Sequence, residues 1–277
     1  MNIWSAWLQG RNNAPNHVQK IFSLWEELNP ECNLHVVEQS EAEDIISKLG
    51  CRQKIMTPQV KTNFVRTYLL AEYGGVWVDS TLLPTKPLNK WLKGELIEQG
   101  FFAFHSSGAP ELVLQNWFLY AEKGHPLVDG WLKYYTEYFR SPRYYPSWKR
   151  AVYEFKLLDY FKYKSAINKK DYMFFVDPAR GRDCSIYPYA AHNYNFKYLL
   201  ENNDDLSEMW KLVPKLYSTL PSMIGIWASD KETPEDVFIE LALEAFNVSP
   251  VHKLNHRDKR FNKMIEEGIN LGFVSLV

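Results

Sequence analysis

Residues 61–84, K-T-N-F-V-R-T-Y-L-L-A-E-Y-G-G-V-W-V-D-S-T-L-L-P, decide the fold of this chain. The pair Gly74-Gly75 supplies the backbone freedom that ends a helix and turns the chain. The next three residues, 76–78, are Val, Trp and Val, which favour a pleated strand. Asp79 follows at the end of that strand. The stretch therefore predicts a helix, a short strand and a carboxylate at the edge of an open α/β sheet, where binding sites commonly lie.

The predicted helix has a well-marked start and an unusual polar face. Thr57 suits the N-cap, and Pro58 suits the first helical position, where its missing N–H costs nothing. On a helical wheel, the face that carries Asn63 and Arg66 also carries the apolar Leu70. A solvated face has no need of that leucine, so we expect Arg66 to be partly buried and directed at an anionic group. The alternative is an ordinary surface arginine beside a stray leucine.

The chain before this stretch alternates between strands and helices. Residues 3–8 and 34–37 are short apolar runs typical of strands. Asn16 with Gln19, and Ser40 with Glu43, have the spacing of helix caps. This β-α-β-α order predicts a parallel α/β sheet with helices on its faces.

The chain after Asp79 gives a less regular pattern. Residues 101–104 predict a strand, 111–123 and 127–139 two helices, 172–176 a late strand, and 233–246 a further helix before a short final one. Residues 180–230 are rich in turns and aromatics and yield no assignment. The aromatic and basic segment 146–164 predicts an amphipathic helix. That helix could hold an acceptor or rest on an anionic membrane surface, or simply pack its aromatic face on the protein.

The composition narrows the classes of function. Hydrophobic residues make up 46% and charged residues 23% of the 277 residues, and the net charge of −1 provides no basic field for nucleic acid. Aromatics at 16% suit carbohydrate stacking, a large core or membrane contact equally. Three widely spaced cysteines favour a reducing compartment. With no signal peptide or spanning segment in evidence, we expect a cytoplasmic protein, with the inner membrane face as an alternative location.

The sequence contains no P-loop, G-x-G-x-x-G, nucleophile elbow or H-E-x-x-H motif, which weakens the common cofactor and hydrolase interpretations. Instead, Lys61-x-Asn63-x-x-Arg66 followed by Y-G-G-V-W-V-D-S-T resembles the K-x-D-x-x-R…Y-G-G-x-Y-x-D-x-D segment of the glycosyltransferases with a DXD sugar-binding region. The resemblance is closest to their capsular polysaccharide synthesis relatives. It extends to residues 3–10, 14–15, 29–30, 116–118 and 251–254.

This resemblance implies a GT-A fold with a Rossmann-like nucleotide-sugar-binding part at 1–108 and a helical acceptor-side part at 109–277, treated as one domain. It implies a hexosyltransferase-like enzyme that moves a sugar from a nucleotide-sugar donor to a glycan hydroxyl, with retention of configuration and with a lipid-linked acceptor as one option. The residues it assigns to catalysis are Asp79, Arg66 and Asn116. Those it assigns to the donor are Trp7, Gln9, Gly10, Lys61, Asn63, Arg66, Gly74, Gly75, Asp79, Ser80 and Lys253.

Two departures from the family pattern put metal dependence in doubt. An aspartate of the family is Asn63 here, and the second aspartate of D-x-D is Thr81, whose hydroxyl is a poorer ligand for a hard dication. If Mn²⁺ or Mg²⁺ is retained, its ligands would be Asp79, Thr81 and a late histidine, His252, which could equally be a surface or capping residue. If metal is lost, Lys61, Arg66 and Lys253 would have to carry the diphosphate charge.

The same departures support a rival hypothesis. A degenerate transferase fold could bind glycans or act as a scaffold without catalysis. A metallohydrolase or phosphatase is a more distant alternative, because no second carboxylate or histidine cluster accompanies Asp79 in the sequence.

Overall fold

The computed structural model describes residues 1–53, 56–106, 108, 112–141, 149–182 and 187–273, with the backbone alone for 149–156. Its strands are β1 (Asn2–Ala6), β2 (Asn33–Val37), β3 (Gly75–Val78), β4 (Leu82–Pro84), β5 (Phe101–His105), β6 (Leu114–Ala121) and β7 (Val251–Lys253). Its helices are α1 (Asn16–Leu28), α2 (Gln39–Lys48), α3 (Pro58–Tyr73), α4 (Leu88–Trp91), α5 (Pro126–Arg140), α6 (Lys149–Asn168), α7 (Ala191–Glu201), α8 (Asp204–Leu212), α9 (Thr219–Trp227), α10 (Glu235–Ala245) and α11 (Arg260–Asn270).

The main sheet has five strands in the order β2-β1-β3-β6-β5. Strand β1 pairs in parallel with β2 on one side and β3 on the other, whereas β6 runs antiparallel to both β3 and β5. The predicted α/β class is therefore confirmed, but the sheet is mixed where the alternation predicted parallel strands. The difference comes from β6, which enters the sheet without a crossover helix.

Helices cover both faces of this sheet. One face packs on α1, α9, α10 and α11, and contributes Ile3, Val76, Val78, Phe102 and Phe118 to the core. The other face packs on α2, α3, α5, α7 and α8, and contributes Val37, Trp77, Phe101, Ala103 and Leu119. Because consecutive residues of β3 enter opposite layers, this strand lies at the centre of both cores.

The helix–turn–strand predicted at residues 57–79 is confirmed. The Thr57 side chain accepts a hydrogen bond from the Val60 amide, and Pro58 occupies the first position of α3. Gly74 and Gly75 have φ angles of 67° and 105°, and a Cβ on Gly75 would lie 2.4 Å from the Asn2 carbonyl oxygen. Only glycine fits this turn without strain. The turn aligns β3 beside β1 and thereby directs its carboxyl end toward the same edge of the sheet.

Two predicted elements were wrong. Residues 114–121 form strand β6 instead of the helix expected over 111–123, because the aromatics of this run are buried on both sides and favour a pleated surface. Tyr172–Phe175 is a 3-10 helix instead of a strand. The unassigned region 180–230 contains α7, α8 and α9. Residues 149–164 of the predicted amphipathic helix 146–164 belong to α6, whereas residues 146–148 lie outside the described residues.

A second, two-stranded sheet joins distant parts of the chain. Strand β7 pairs antiparallel with β4, and Lys253 is in register with Leu82. The Leu254 amide donates to the Thr81 carbonyl at 2.9 Å, which extends the pairing to the loop after β3. This small sheet brings residues near the C-terminal end beside Asp79. Across the described ranges, we find no helix with the length and apolar character needed to span a membrane.

Candidate functional site

A cavity of about 590 Å³ opens at the carboxyl ends of β1 and β3. The chain leaves β1 toward β2 on one side and returns to β3 on the other, so the gap between β1 and β3 is the topological switch point of the sheet. Ligands of open α/β sheets bind in such a crevice. The residues after β1, Trp7 to Gln9, form one wall, and Asp79 to Thr81, after β3, form another. The volume lies within the range of small-molecule sites.

Asp79 and Arg66 form an ion pair in the floor of the cavity, in which the arginine is buried and the aspartate is half-buried. The Arg66 Nη2 lies 3.1 Å from Asp79 Oδ1, and its Nη1 donates to the Asn116 carbonyl oxygen. The guanidinium stacks over the Trp77 ring at 5.0 Å from the ring centroid. Burial lowers the pKa of Arg66, although Asp79 opposes the shift, and an arginine stays charged regardless. The expectation that Arg66 is buried and directed at an anionic group is confirmed.

Lys253 joins the same carboxylate from the opposite side. Its Nζ donates to Asp79 Oδ2 at 2.8 Å and to Thr81 Oγ1 at 2.7 Å. Burial alone would raise the pKa of Asp79, but the charges of Lys253 and Arg66 outweigh it and lower the pKa to about 2. The carboxylate is therefore ionised at neutral pH, with one cation on each side.

Behind the cavity, a chain of hydrogen bonds fixes the side chain of Asn116. Its Nδ2 donates to His192 Nδ1 at 3.0 Å and to Asn193 Oδ1 at 3.2 Å. Asn193 donates its own amide to the Leu114 carbonyl, so its oxygen must accept. Both hydrogens of the Asn116 amide are thus committed, which leaves its oxygen free to accept from a ligand.

The tautomer of His192 follows from its neighbours. Its Nε2 lies 2.9 Å from the Thr67 hydroxyl, which donates to the Asn63 carbonyl at 2.6 Å. The hydroxyl must therefore accept from His192 Nε2–H, and Nδ1 is left to accept from Asn116. Burial first, and the nearby Arg66 second, hold the pKa of His192 well below its usual value. The ring stays neutral, and it stacks on Trp131 at 3.9 Å between centroids.

Aromatic side chains form the walls of the cavity. Trp77 and Trp117 are buried in its floor, whereas Trp7 is half-exposed and meets the His256 ring edge-on at 6.2 Å. Tyr189 lies at the rim with 90% of its surface exposed. Flat apolar surfaces of this kind suit a nucleobase or a sugar face.

The structure brings most of the predicted residues to this cavity. Those lining it are Trp7, Gln9, Asn63, Arg66, Asp79, Ser80, Thr81, Asn116 and Lys253.

Five predicted residues lie elsewhere, each for a local reason. The Lys61 ammonium pairs with the Glu43 carboxylate at 2.7 Å. Gly10 lies beside Glu38, in the turn that follows the cavity wall formed by residues 7–9. Gly74 and Gly75 are at the opposite end of β3 from Asp79. His252 alternates with Lys253 along β7, so it faces the core and packs on Phe246 at 5.5 Å.

The sequence interpretation missed His192, Asn193, Gln115, Tyr189 and His256, all in or directly behind the cavity. Three of these lie in the region 180–230, where no element was assigned. The run A-H-N-Y-N-F at 191–196 has buried residues on all sides of a helix. Its polar members therefore gave no amphipathic pattern that would have identified α7.

The donor set of the cavity is poor for a divalent metal. Asp79 is the only acidic side chain among the described residues that line it. Its Oδ1 accepts from Trp77 Nε1 and pairs with Arg66, and its Oδ2 accepts from Lys253. In the part of the chain that the structure describes, no three His, Cys, Asp or Glu side chains cluster as a metal site requires. Mg²⁺ and Mn²⁺ prefer several oxygen ligands. These residues do not fit such an ion.

Comparison with known proteins finds relatives that are named as glycosyltransferases. Over 101 residues it is 28% identical to the initiation-specific alpha-1,6-mannosyltransferase of Candida albicans, covering 33% of this chain and 26% of the relative. Over 159 residues it is 28% identical to glycosyltransferase afumC of Aspergillus fumigatus, covering 50% and 40%. Over 150 residues it is 24% identical to the putative glycosyltransferase HOC1 of Saccharomyces cerevisiae, covering 46% and 36%. The chain thus spans at most 40% of these relatives.

Among solved structures, the PaToxG glycosyltransferase is similar with a TM-score of 0.34 and 13% identity, over 72% of this chain and 84% of that one. The family model of capsular polysaccharide synthesis proteins matches residues 1–179 of the 277.

Fold and site together define an α/β protein with a charged crevice at the switch point of its sheet, and the names of the relatives support a transferase in general terms. Since the family match covers more than half of the chain, the protein belongs to the capsular polysaccharide synthesis protein family.

Proposed function

We propose that this protein is a GT-A-type glycosyltransferase that binds a nucleotide-sugar donor in the crevice between β1 and β3 and transfers the sugar to a glycan hydroxyl in surface polysaccharide synthesis. The observation that carries the proposal is the position of Asp79. It is an ionised carboxylate at the switch point, held between Arg66 and Lys253, in a cavity with aromatic walls. The family and the transferase relatives support the same reaction class.

Each wall of the cavity has a role in this proposal. Trp7 offers a half-exposed ring for the nucleobase, and Lys253 offers positive charge for the diphosphate. Arg66 lies behind Asp79 and fixes its orientation. The free oxygen of Asn116 accepts from a sugar hydroxyl, as does the remaining lone pair of Asp79.

Charge builds up on the leaving diphosphate as the bond from sugar to phosphate breaks. Preorganised cations that stabilise this charge lower the barrier, because they need no reorganisation during the reaction. Lys253 is 26% exposed toward the cavity, whereas Arg66 is 6% exposed. The lysine is therefore the cation in direct reach of the phosphates.

The first prediction concerns Asp79→Asn. This nearly isosteric change removes the negative charge between two cations, so we expect donor turnover to fall by about 100-fold or more. Turnover is measured as nucleoside diphosphate released from a panel of nucleotide sugars, and proton NMR of the product tests the predicted retention of configuration. Asp44→Asn, at an exposed position of α2, is the matched control and should keep full activity.

Two outcomes would contradict the proposal. One is that no uridine, guanosine or cytidine diphosphate binds the wild-type protein in calorimetry, with or without Mn²⁺. The other is that Asp79→Asn retains full glycan binding while neither form releases nucleotide, which would favour a catalytically silent glycan-binding protein. The silent glycan-binding alternative is tested because Thr81 stands where the family has its second aspartate, which is the departure that motivates it.

A further inference from the structure

We propose that Lys253 takes the place of a divalent metal in the donor site, so that the protein binds the donor diphosphate without Mn²⁺ or Mg²⁺. This inference rests on the proposed function of the crevice. The ammonium group contacts both end residues of the Asp79-Ser80-Thr81 motif, the two side chains that would have to hold a metal there. It supplies the positive charge that a bound dication would otherwise bring.

The contacts of the ammonium account for its position. Nζ donates to Asp79 Oδ2 at 2.8 Å and to Thr81 Oγ1 at 2.7 Å, and it has three hydrogens to give. One hydrogen therefore remains for a ligand, on the side where the lysine is 26% exposed. The hydroxyl of Thr81 is suited to this arrangement, because it accepts from the ammonium without adding a second negative charge.

The backbone holds Lys253 rigidly in this place. Its residue pairs with Leu82 in the small sheet, and the next amide, of Leu254, donates to the Thr81 carbonyl. Gly225 of α9 packs against the Lys253 carbonyl so closely that a Cβ there would lie 2.3 Å from the oxygen. The neighbouring His252 is fully buried on the other face of β7, so Lys253 faces the cavity.

The charges of the site sum to a net positive charge, which attracts a diphosphate without a metal. Asp79 contributes one negative charge, whereas Arg66 and Lys253 contribute two positive ones. Among the described residues lining the cavity, these two are the permanent cations. A dication between Asp79 and Thr81 would meet the ammonium at contact distance, with a single carboxylate to offset the repulsion.

The experiment compares nucleoside diphosphate binding in EDTA with binding in millimolar Mn²⁺, by calorimetry, for uridine, guanosine and cytidine diphosphates. For the wild type we expect affinities in EDTA and Mn²⁺ that agree within about twofold. Lys253→Met should lose about tenfold or more of the affinity in EDTA. Lys86→Met, an exposed lysine beside β4, is the matched control and should behave as the wild type.

A second variant tests the exchange of lysine for metal in the other direction. Thr81→Asp combined with Lys253→Met provides two carboxylates and removes the ammonium, so it should bind the diphosphate only with Mn²⁺. It should also reduce the signal of free Mn²⁺ in electron paramagnetic resonance, whereas the wild type should leave that signal unchanged. Thermal melts of each variant confirm that it is folded.

The outcomes separate the two proposals. If the wild type binds a diphosphate in Mn²⁺ but not in EDTA, or if Lys253→Met binds as tightly as the wild type, the lysine inference is overturned while the proposed function stands. If the wild type binds no nucleoside diphosphate in either buffer, both are overturned.

Discussion

Arg66 shows how a single buried residue organises this site. Its guanidinium is enclosed by the Asp79 carboxylate, the Asn116 carbonyl and the Trp77 ring. Removing one partner of such a buried pair strands the other charge, and typically costs about 3–5 kcal/mol. Arg66 thus couples α3, β3 and β6 at one point. The position of the Asp79 carboxylate depends on all three elements.

The second prediction concerns His192, which we consider a positioning residue. In His192→Phe, the Asn116 amide loses one of its two fixed acceptors, while a ring remains to stack on Trp131. Loss of one hydrogen bond worth about 1 kcal/mol should lower kcat about five- to tenfold. The loss should appear in kcat more than in the KM for the donor, because the ground-state contacts of Trp7 and Lys253 remain.

The control for that change is His125→Phe. His125 is also buried, but it lies beside Phe101 at the opposite end of the sheet from the cavity. A purely structural effect would lower the melting temperatures of both variants and leave kcat unchanged once each is folded. Equal kcat values for His192→Phe and the wild type would show that Asn116 needs no such positioning.

At the scale of elements, the small sheet of β4 and β7 completes the crevice. Strand β7 is only three residues long, yet it delivers Lys253 to a carboxylate at the end of the main sheet. Its position is set by β4 on one side and by α9 on the other. The packing of α9 therefore bears on the position of Lys253, although none of the described residues of α9 lines the crevice.

The third prediction tests this dependence. Gly225→Ala places a methyl group 2.3 Å from the Lys253 carbonyl oxygen, so α9 and β7 must separate. Overpacking of this kind costs about 1–3 kcal/mol, which urea unfolding can measure, and we expect weaker binding of nucleoside diphosphate as well. Gly108→Ala is the control, because no atom of the described residues lies within 4 Å of the added methyl. If folded Gly225→Ala binds nucleoside diphosphate as tightly as the wild type does, the packing of α9 does not affect the proposed site.

The elements also show what a single sequence can and cannot predict here. The helix α3 and the turn after it were predicted because Thr57, Pro58 and the two glycines have local effects on the backbone. Strand β6 was mistaken for a helix, since a strand buried on both faces lacks the alternation that distinguishes it. Asp79 and Arg66 were identified through the motif. His192 was missed, because its role depends on contacts with Thr67 and Asn116 that no local pattern records.

At the scale of the whole molecule, buried histidines connect the fold to pH. His105 and His252 each have a pKa lowered to about 4 by burial, and burial also lowers the pKa of His192. In the unfolded chain these rings take up protons below about pH 6.5. In the folded protein they stay neutral until the pH falls much further.

The fourth prediction follows from that difference. The unfolded state binds more protons than the folded state in this pH range. The free energy of unfolding is therefore unaffected by these histidines above about pH 6.5, and it decreases as the pH falls toward 4. Protonation of His252 in the unfolded chain should by itself lower the free energy of unfolding by about 2 kcal/mol at pH 5. Urea unfolding between pH 7.5 and 5 measures the loss, and His252→Leu should show a flatter acid limb than the wild type. Asp79, whose pKa is lowered to about 2, stays ionised throughout this range.

The contact between Lys253 and Asp79 also sets an order of events during synthesis. It joins residues 174 positions apart, and contacts of such long range form late because their loop-closure entropy must be met first. A nascent chain that has emerged only through β6 carries the strands of the main sheet and Asp79, but it lacks the Lys253 ammonium and the helices α5 and α7 to α11 that cover the sheet. The ribosome must therefore synthesise almost all of the described chain before the proposed donor site is complete.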